Sequence, residues 1–220
     1  AHLLRQEWEQ EDSPILVNGI VGPAGDGYSA ASQLSPSEAE ALHRPQIEAL
    51  ATAGVDLVTL MTMTHPGEAI GAVRAAAGAG VPVAVSFTVE TDGALPNGQS
   101  LAEALAEVEA AGAPVLYYGI NCAHPTHYAD KLRGDWAARV GALRSNASRL
   151  SHAALDAAEA LDDGDPVGFG LEHAALARLL PALRVVGGCC GTDLRHVGCA
   201  ATGLHAGRAV VQQFVGGAEG

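Results

Sequence analysis

The chain has 220 residues, which fits one large domain, and 48% of them are apolar, enough to bury a substantial core. Its formal net charge of −13 argues against binding to nucleic acid or to an anionic membrane surface, because both are negatively charged. The sequence contains neither a membrane span nor a secretory signal, and its four cysteines are too few for a disulfide scaffold, so we expect a cytoplasmic protein with reduced thiols.

Short apolar runs alternate with helical patterns along the chain, which is typical of βα units and a parallel sheet. The first residues already show helical spacing, with Leu3, Leu4 and Trp8 preceding Pro14. Because a natural domain rarely begins in this way, we expect the sequence to be a fragment. Six strands are predicted, at Ile15–Ile20, Val55–Met61, Val81–Val89, Pro114–Asn121, Arg139–Arg144 and Arg184–Gly188.

Helices are predicted between these strands. Ser35 and Ser100 each precede a glutamate at the third helical position, which is the capping-box pattern of a helix start. Thr192 is predicted to cap the last helix. The remaining helices are predicted at Gly67–Ala79, Ser151–Leu161, Leu171–Leu180 and Asp193–Phe214, with a loop at residues 161–166.

Six βα units fit either an open doubly wound sheet or an incomplete eight-stranded barrel. Cysteines that follow two separate strands favour the barrel, because the C-terminal ends of barrel strands converge on the face that carries active sites. The glycine-rich segment Gly22–Gly27 follows the first predicted strand. It lacks the lysine of a P-loop and the spacing of a dinucleotide fingerprint, so it is predicted to form a tight βα turn.

The adjacent Cys189 and Cys190 lie in a glycine-rich run after the last predicted strand. Neighbouring strand residues point to opposite faces, so both sulfurs reach one ion only where the backbone folds sharply, as flanking glycines permit. Cys122 follows an earlier strand. Three sulfur ligands suit zinc and leave a fourth position for water or substrate. Cys199 lies among alanines in the last helix and is predicted to pack in the core.

Several histidines lie near these cysteines in the sequence. His124 and His127 are predicted to shape the loop after Cys122, with metal binding as the alternative, because three thiolates already suffice. His196 is predicted to bond loop backbone near the cysteine pair. His152 follows Ser151 at a helix start without a triad partner, so no nucleophilic site is predicted there.

The cysteine motifs resemble those of the homocysteine S-methyltransferase family. The matching stretches are Gly119-Ile120-Asn121-Cys122, Gly187-Gly188-Cys189-Cys190-Gly191-Thr192, Gly22-Pro23 with Gly25-Asp26, and Ser86–Gly93. The resemblance spans nearly the whole chain and implies a single (β/α)8 TIM-type barrel domain over residues 1–220, with the first two strands missing. It implies zinc held by Cys122, Cys189 and Cys190, with the thiolate of homocysteine at the fourth position.

Two features depart from the family pattern. The Asp-Gly motif that ends the family's first strand has no counterpart in this chain. Met61 stands where many members carry a glutamate that binds the substrate amino group. Glu90 after the next strand is a candidate to substitute for it, with a loop or surface carboxylate as the alternative. Asn121 and Gly188 are further predicted substrate-binding residues, although Asn121 and Asp26 are also suited to tying loops together through backbone hydrogen bonds.

The resemblance therefore implies a zinc-dependent methyltransferase that converts homocysteine to methionine. Its partners are a small-molecule thiol and a methyl donor such as S-methylmethionine or S-adenosylmethionine, since methylfolate is linked to larger modular enzymes. Because Met61 replaces the glutamate, a related thiol or selenol remains an alternative acceptor. A non-catalytic or degenerate zinc-binding barrel is the alternative from another functional class.

Overall fold

A computed structural model describes residues 1–28 and 33–215, with side chains through residue 204. Six strands form one parallel sheet in which each strand pairs with the next along the chain. The strands are β1 (Asn18–Val21), β2 (Leu57–Met63), β3 (Val83–Phe87), β4 (Tyr118–Asn121), β5 (Val140–Ser145) and β6 (Val185–Gly188). All six predicted strands are confirmed, with β1, β3, β4 and β6 shorter than predicted. The predicted domain of residues 1–220 also includes residues that lie outside the described ranges.

Helices connect successive strands, as the alternating pattern predicts. They are α1 (His2–Trp8), α2 (Pro36–Thr52), α3 (Pro66–Ala79), α4 (Leu101–Ala110), α5 (Pro125–Tyr128), α6 (His152–Asp156), α7 (Pro166–Leu179) and α8 (Leu194–Val215). Both capping boxes are confirmed, because Ser35 and Ser100 each exchange hydrogen bonds with the glutamate three residues on. Among the helices that the structure describes, none has the length and apolar character needed to cross a membrane.

Two predicted helix boundaries are wrong. The helix predicted at Ser151–Leu161 ends at Asp156, and the residues that follow are exposed, so no buried face stabilises further turns. The helix predicted at Leu171–Leu180 begins five residues earlier. Asp165 accepts the backbone N–H of Val167 at 3.0 Å and Pro166 occupies the first helical position, a start signal that the loop prediction overlooked.

Helices α2 and α3 pack closely because small residues line their contact. A Cβ atom added at Gly71 of α3 would lie 2.6 Å from the Cβ of Ala39 in α2, nearer than side chains approach. Gly19 of β1 is similarly covered by Leu50 of α2, at 2.9 Å. The abundance of alanine and glycine therefore serves close helix–helix and helix–sheet packing.

The sheet curls into a half-barrel. A small cavity of about 30 Å³ inside the curl is lined by side chains of β1, β2, β3, β5 and β6, including Met61 and Arg144. In the described part of the chain β1 and β6 are the two edges of the sheet and do not pair with each other. The loops after these edges nevertheless meet, since the hydroxyl of Tyr28 lies 4.0 Å from Sγ of Cys190. The fold is thus a curled α/β half-barrel of the kind that the barrel prediction requires.

A buried carboxylate holds the loop after β1. Glu68, 2% exposed in the first turn of α3, accepts the backbone N–H of Ala24 at 2.6 Å and lies 2.8 Å from Nε2 of His43. Burial tends to raise the pKa of Glu68, but the hydrogen bonds and the nearby His43 and His65 outweigh burial and lower it. The connection from β1 to α2 spans residues 22–35, so the tight turn predicted at Gly22–Gly27 is wrong.

Candidate metal centre

The three cysteines that the sequence singles out meet at the C-terminal edge of the sheet. Cys122 directly follows β4, and Cys189 and Cys190 directly follow β6, with β5 between these two strands. Their sulfur atoms all lie within 4.8 Å of one another. Tetrahedral zinc–sulfur bonds of about 2.3 Å would place the sulfurs roughly 3.8 Å apart. A small adjustment of the side chains would therefore bring all three onto one ion.

Cys122 has a left-handed backbone conformation, with φ of 52°, which turns the chain sharply at the end of β4. This conformation costs about 1–2 kcal/mol for a residue other than glycine, so neighbouring contacts must hold it. The Cys122 N–H donates to the Arg144 carbonyl at 3.1 Å. Its carbonyl accepts from Nδ2 of Asn146 at 3.0 Å and from Nε2 of His152 at 2.5 Å. Both sides of the Cys122 peptide are therefore fixed.

Asn146, just beyond β5, links the two halves of the cysteine cluster. Its side chain donates to the carbonyl of Cys122 and accepts the backbone N–H of Cys190 at 3.1 Å. The neighbouring Ala147 N–H donates to the carbonyl of Cys190 at 3.0 Å, and the Cys189 N–H donates to the Ser145 carbonyl at 2.8 Å. Hydrogen bonds from the end of β5 thus set the spacing between Cys122 and the cysteine pair.

The turn that carries the cysteine pair depends on two glycines. Gly191 has φ of 76°, a conformation that side chains disfavour. A Cβ added at Gly188 would lie 2.6 Å from the Cβ of Thr192, which folds back over this position. The hydroxyl of Thr192 donates to the Cys189 carbonyl at 2.7 Å and so does not cap α8, contrary to prediction. Asp193 takes that role by accepting the backbone N–H of Arg195 at 2.9 Å.

Three side chains form a layer beside the cysteines. Nδ1 of His152 lies 3.2 Å from a carboxylate oxygen of Glu90, while Nε2 contacts the carbonyl of Cys122. Both ring nitrogens therefore face oxygen atoms of neighbouring groups. The ring of Tyr28 stacks on His152 with centroids 4.0 Å apart and an interplanar angle of 31°.

A cavity of about 210 Å³ opens next to this layer and reaches Cys190. Tyr28 and His152 form one side, and Leu155 and Leu161 contribute apolar surface. Among the cluster cysteines, Cys190 is exposed whereas Cys122 is buried. The cysteine cluster is therefore open to a small molecule from the side of Cys190.

Comparison with known proteins matches this site to a family. The sequence model described as homocysteine S-methyltransferase matches residues 1–202. The chain belongs to the homocysteine S-methyltransferase family. The resemblance seen in the cysteine motifs is thereby confirmed. No functionally curated protein sequence matched the chain.

Solved structures agree with the fold of this family member. The metallated form of the homocysteine methyltransferase MmuM from Escherichia coli is 21% identical and superimposes with a TM-score of 0.65, covering 93% of this chain. Its oxidized form is 26% identical with a TM-score of 0.64, covering 91% of this chain. In both comparisons the match spans 65% of the length of the Escherichia coli chain.

The electrostatics of the family member's cysteine cluster suit a divalent cation. Hydrogen bonds from Cys122 and Cys189 lower the pKa of Cys190 to about 2. Hydrogen bonds to the other two sulfurs, together with burial, raise the pKa of Cys189. At Cys122 the hydrogen bond from Cys189 lowers the pKa, but the contact with Cys190 and burial outweigh it and raise the value. These directions favour a thiolate at Cys190 that accepts S–H groups of the other two cysteines, and a cation bound by all three sulfurs would displace those protons.

The predicted substrate-binding residues lie in different surroundings. Asn121 is fully buried and its side chain is engaged by Thr62, through the backbone N–H at 3.0 Å and the hydroxyl at 2.7 Å, and by the hydroxyl of Ser86 at 2.6 Å. It ties the ends of β2, β3 and β4 together, in agreement with the loop-tying alternative. Asp26 accepts the backbone N–H of Tyr28 at 3.0 Å, two residues on in the same loop. Roles for Glu90, Asn121 and Gly188 in substrate binding stay predictions.

The nearby histidines hold loops, as the sequence predicts. His124 caps α5 by accepting the backbone N–H of Thr126 at 3.2 Å, and Nε2 of His127 lies 2.9 Å from the Arg149 carbonyl. His196 bonds the backbone around it, accepting the Asp193 N–H at 3.2 Å and donating to the Asp163 carbonyl at 2.8 Å. Among the described residues, none of these histidines joins the group of three sulfurs.

Cys199 stands apart from the cluster, as the sequence predicts. It lies in α8 where Gly170 of α7 approaches so closely that an added Cβ would meet the Cys199 Cβ at 2.8 Å. This thiol is partly exposed and so is less deeply packed than the core position predicted for it. It is therefore a cysteine of the helix contact and is absent from the sulfur cluster.

Sequence reasoning missed three residues of the site, namely Asn146, His152 and Tyr28. Asn146 follows the predicted strand that lies between the two cysteine-bearing strands, and that position was the available signal. The sequence around His152 shows only a helix start after Ser151, which carries no signal of a place beside the cysteines. Tyr28 follows a glycine-rich loop, and only the curl of the sheet brings that loop beside Cys190.

Proposed function

We propose that this protein transfers a methyl group to the thiol of homocysteine, giving methionine, at zinc held by Cys122, Cys189 and Cys190. The observation that carries the proposal is the meeting of these three sulfurs within 4.8 Å. Over residues 1–28 and 33–204, no histidine, aspartate, glutamate or further cysteine joins them as a fourth ligand. An open fourth position favours a catalytic site over a closed structural one.

The residues of the cluster suit thiol chemistry. Bound zinc would keep the acceptor sulfur as a thiolate at neutral pH, the form that attacks a methyl group. Three cysteine thiolates exceed the charge of a divalent cation by one negative charge, so the cluster withdraws little electron density from a further sulfur. The same negative charge would attract a cationic methyl donor. We therefore favour a sulfonium donor, S-methylmethionine or S-adenosylmethionine.

Glu90 is the proposed contact for the acceptor's amino group. Its carboxylate is about one-third exposed and lies beside His152, which in turn contacts Cys122. Asn121 and Gly188 lie at the ends of the strands that carry the cysteines, and we include them in the proposed acceptor site. Met61, on the concave face of the sheet, cannot accept a strong hydrogen bond from an ammonium group. This favours a related thiol or selenol as a second candidate acceptor.

X-ray absorption of the zinc-loaded protein, with and without homocysteine, tests the proposal. We expect a shell of three sulfurs and one lighter atom that becomes four sulfurs when homocysteine is added. Methionine formation from S-methylmethionine or S-adenosylmethionine should then stop on addition of a chelator. An unchanged metal shell, or turnover that is insensitive to the chelator, would overturn the proposed function. The expected site of action is a reducing cytoplasm, where these thiols stay free.

A further inference from the structure

Cys190 is vulnerable in a site that carries out methyl transfer. It is the exposed member of the sulfur cluster, and the cavity of about 210 Å³ reaches it directly. A cysteine thiolate is itself a nucleophile, so a methyl donor in this cavity would meet Cys190 as well as the acceptor sulfur. Methylation of Cys190 would turn an anionic ligand into a neutral thioether. The molecule therefore needs a means of directing the methyl group away from Cys190.

Tyr28 lies where it can direct the methyl group away from Cys190. Its hydroxyl is 4.0 Å from Sγ of Cys190, within the range of hydrogen bonds to sulfur. A cysteine that ligates a metal has lost its proton, so the tyrosine hydroxyl must be the donor in this pair.

The position of Tyr28 is fixed by its surroundings. Its ring stacks on His152, and His152 is held between the carboxylate of Glu90 and the carbonyl of Cys122. Its backbone N–H donates to the Asp26 side chain at 3.0 Å. The ring also lines the cavity that reaches Cys190.

We propose that Tyr28 protects Cys190 from methylation by donating a hydrogen bond to its sulfur. This role rests on the proposed methyl-transfer function. In the reaction that Tyr28 suppresses, an electron pair of the Cys190 sulfur forms a bond to the methyl carbon. The donor's carbon–sulfur bond breaks at the same time, and its electron pair leaves with the neutral thioether. A hydrogen bond to the attacking electron pair slows this step.

Chemical methylation tests the proposal without any need for turnover. Zinc-loaded wild type and Tyr28→Phe are treated with trimethylsulfonium, and peptide mass spectrometry measures methylation of each cysteine over time. We expect Cys190 to be methylated about tenfold faster in the variant, equivalent to about 1.4 kcal/mol. Tyr117→Phe is the matched control, because Tyr117 is also half-buried but lies before β4, outside the sulfur cluster. In Tyr117→Phe, Cys190 should be methylated at the wild-type rate.

Cys199, outside the cluster, reports on the fold of each variant, because unfolding would speed methylation of Cys199 and Cys190 together. If Tyr28→Phe binds zinc more weakly, the rates are compared at a zinc concentration that saturates both proteins. Equal Cys190 rates in wild type and variant would overturn the protective role. Methionine formation is assayed separately, so failure of the proposed function is recognised independently of the result for Tyr28.

Discussion

Asn146 is the residue whose removal best tests how the cysteine cluster is assembled. It is 2% exposed and carries no chemistry of its own, yet it contacts both halves of the cluster. In Asn146→Ala, the carbonyl of Cys122 keeps only its bond from His152, and the N–H of Cys190 loses its acceptor. Each net hydrogen bond contributes about 1 kcal/mol, so the metal-free protein should lose roughly 2 kcal/mol of stability.

The same loss should appear in metal affinity. If the 2 kcal/mol is the cost of holding the sulfurs in place, the zinc dissociation constant rises roughly 30-fold. That value falls within the tenfold to 100-fold range typical of residues that orient metal ligands. Removal of Asn146, which is not one of the three sulfur ligands, should therefore change zinc binding measurably.

Competition with a chromophoric chelator measures the zinc dissociation constant, and urea unfolding of the metal-free protein measures stability. Asn97→Ala is the control, since Asn97 makes a similar local bond to the backbone N–H of Gln99, in a loop outside the sulfur cluster. It should leave zinc affinity within about twofold of wild type. If Asn146→Ala lowered stability but kept wild-type zinc affinity, the view that Asn146 sets the spacing of the sulfurs would be refuted.

Three further predictions concern the metal and the fold. Cys190→Ser should abolish stoichiometric zinc binding in metal analysis, whereas Cys199→Ser should retain it, because only the former removes a cluster sulfur. Gly71→Ala should lower the urea unfolding free energy by about 1–3 kcal/mol through overpacking, whereas Gly198→Ala, with open space around it, should raise it by about 0.5–1 kcal/mol. The lowered pKa of Glu68 means that its carboxylate stabilises the fold above its ordinary value of about 4.5, and that this contribution is lost as pH falls through the folded value. Glu68→Gln should therefore cost about 1.5–3 kcal/mol at pH 7 in urea unfolding, with the difference from wild type shrinking as the pH falls below that ordinary value; a pH-independent difference would contradict this.

The parts of the fold that could be predicted are those with local causes. Strand cores are short apolar runs, and the helix starts at Ser35 and Ser100 are encoded within four residues, so periodicity and capping patterns located them. The three cysteines were also predictable, because parallel strands carry their C-terminal ends to one edge. What failed were boundaries set by tertiary contacts, as at α6, where the residues after Asp156 have no surface to pack against.

A shared physical reason explains why the sequence did not reveal Asn146 and Tyr28 as residues of the site. Asn146 acts through backbone groups of Cys122 and Cys190, and a side chain that bonds backbone leaves no chemical signature in sequence. Tyr28 and Cys190 are 162 residues apart, and their contact exists because the curl of the sheet brings its two edges together. Predicting that contact requires the strand tilt and curvature of the whole sheet, which no local pattern specifies.

The structure also shows the surroundings of Met61, which stands where many family members carry a glutamate. Met61 lies on the concave face of the sheet, in the lining of the small cavity with Arg144. The carboxylate of Glu90 instead lies after β3, beside His152, which bonds the carbonyl of Cys122. An ammonium group of the methyl acceptor that bound Glu90 would compete with His152 for the carboxylate. His152 also supports the strained peptide of Cys122. If Glu90 binds the acceptor as proposed, recognition of the acceptor and the geometry of the sulfur cluster share one residue, His152.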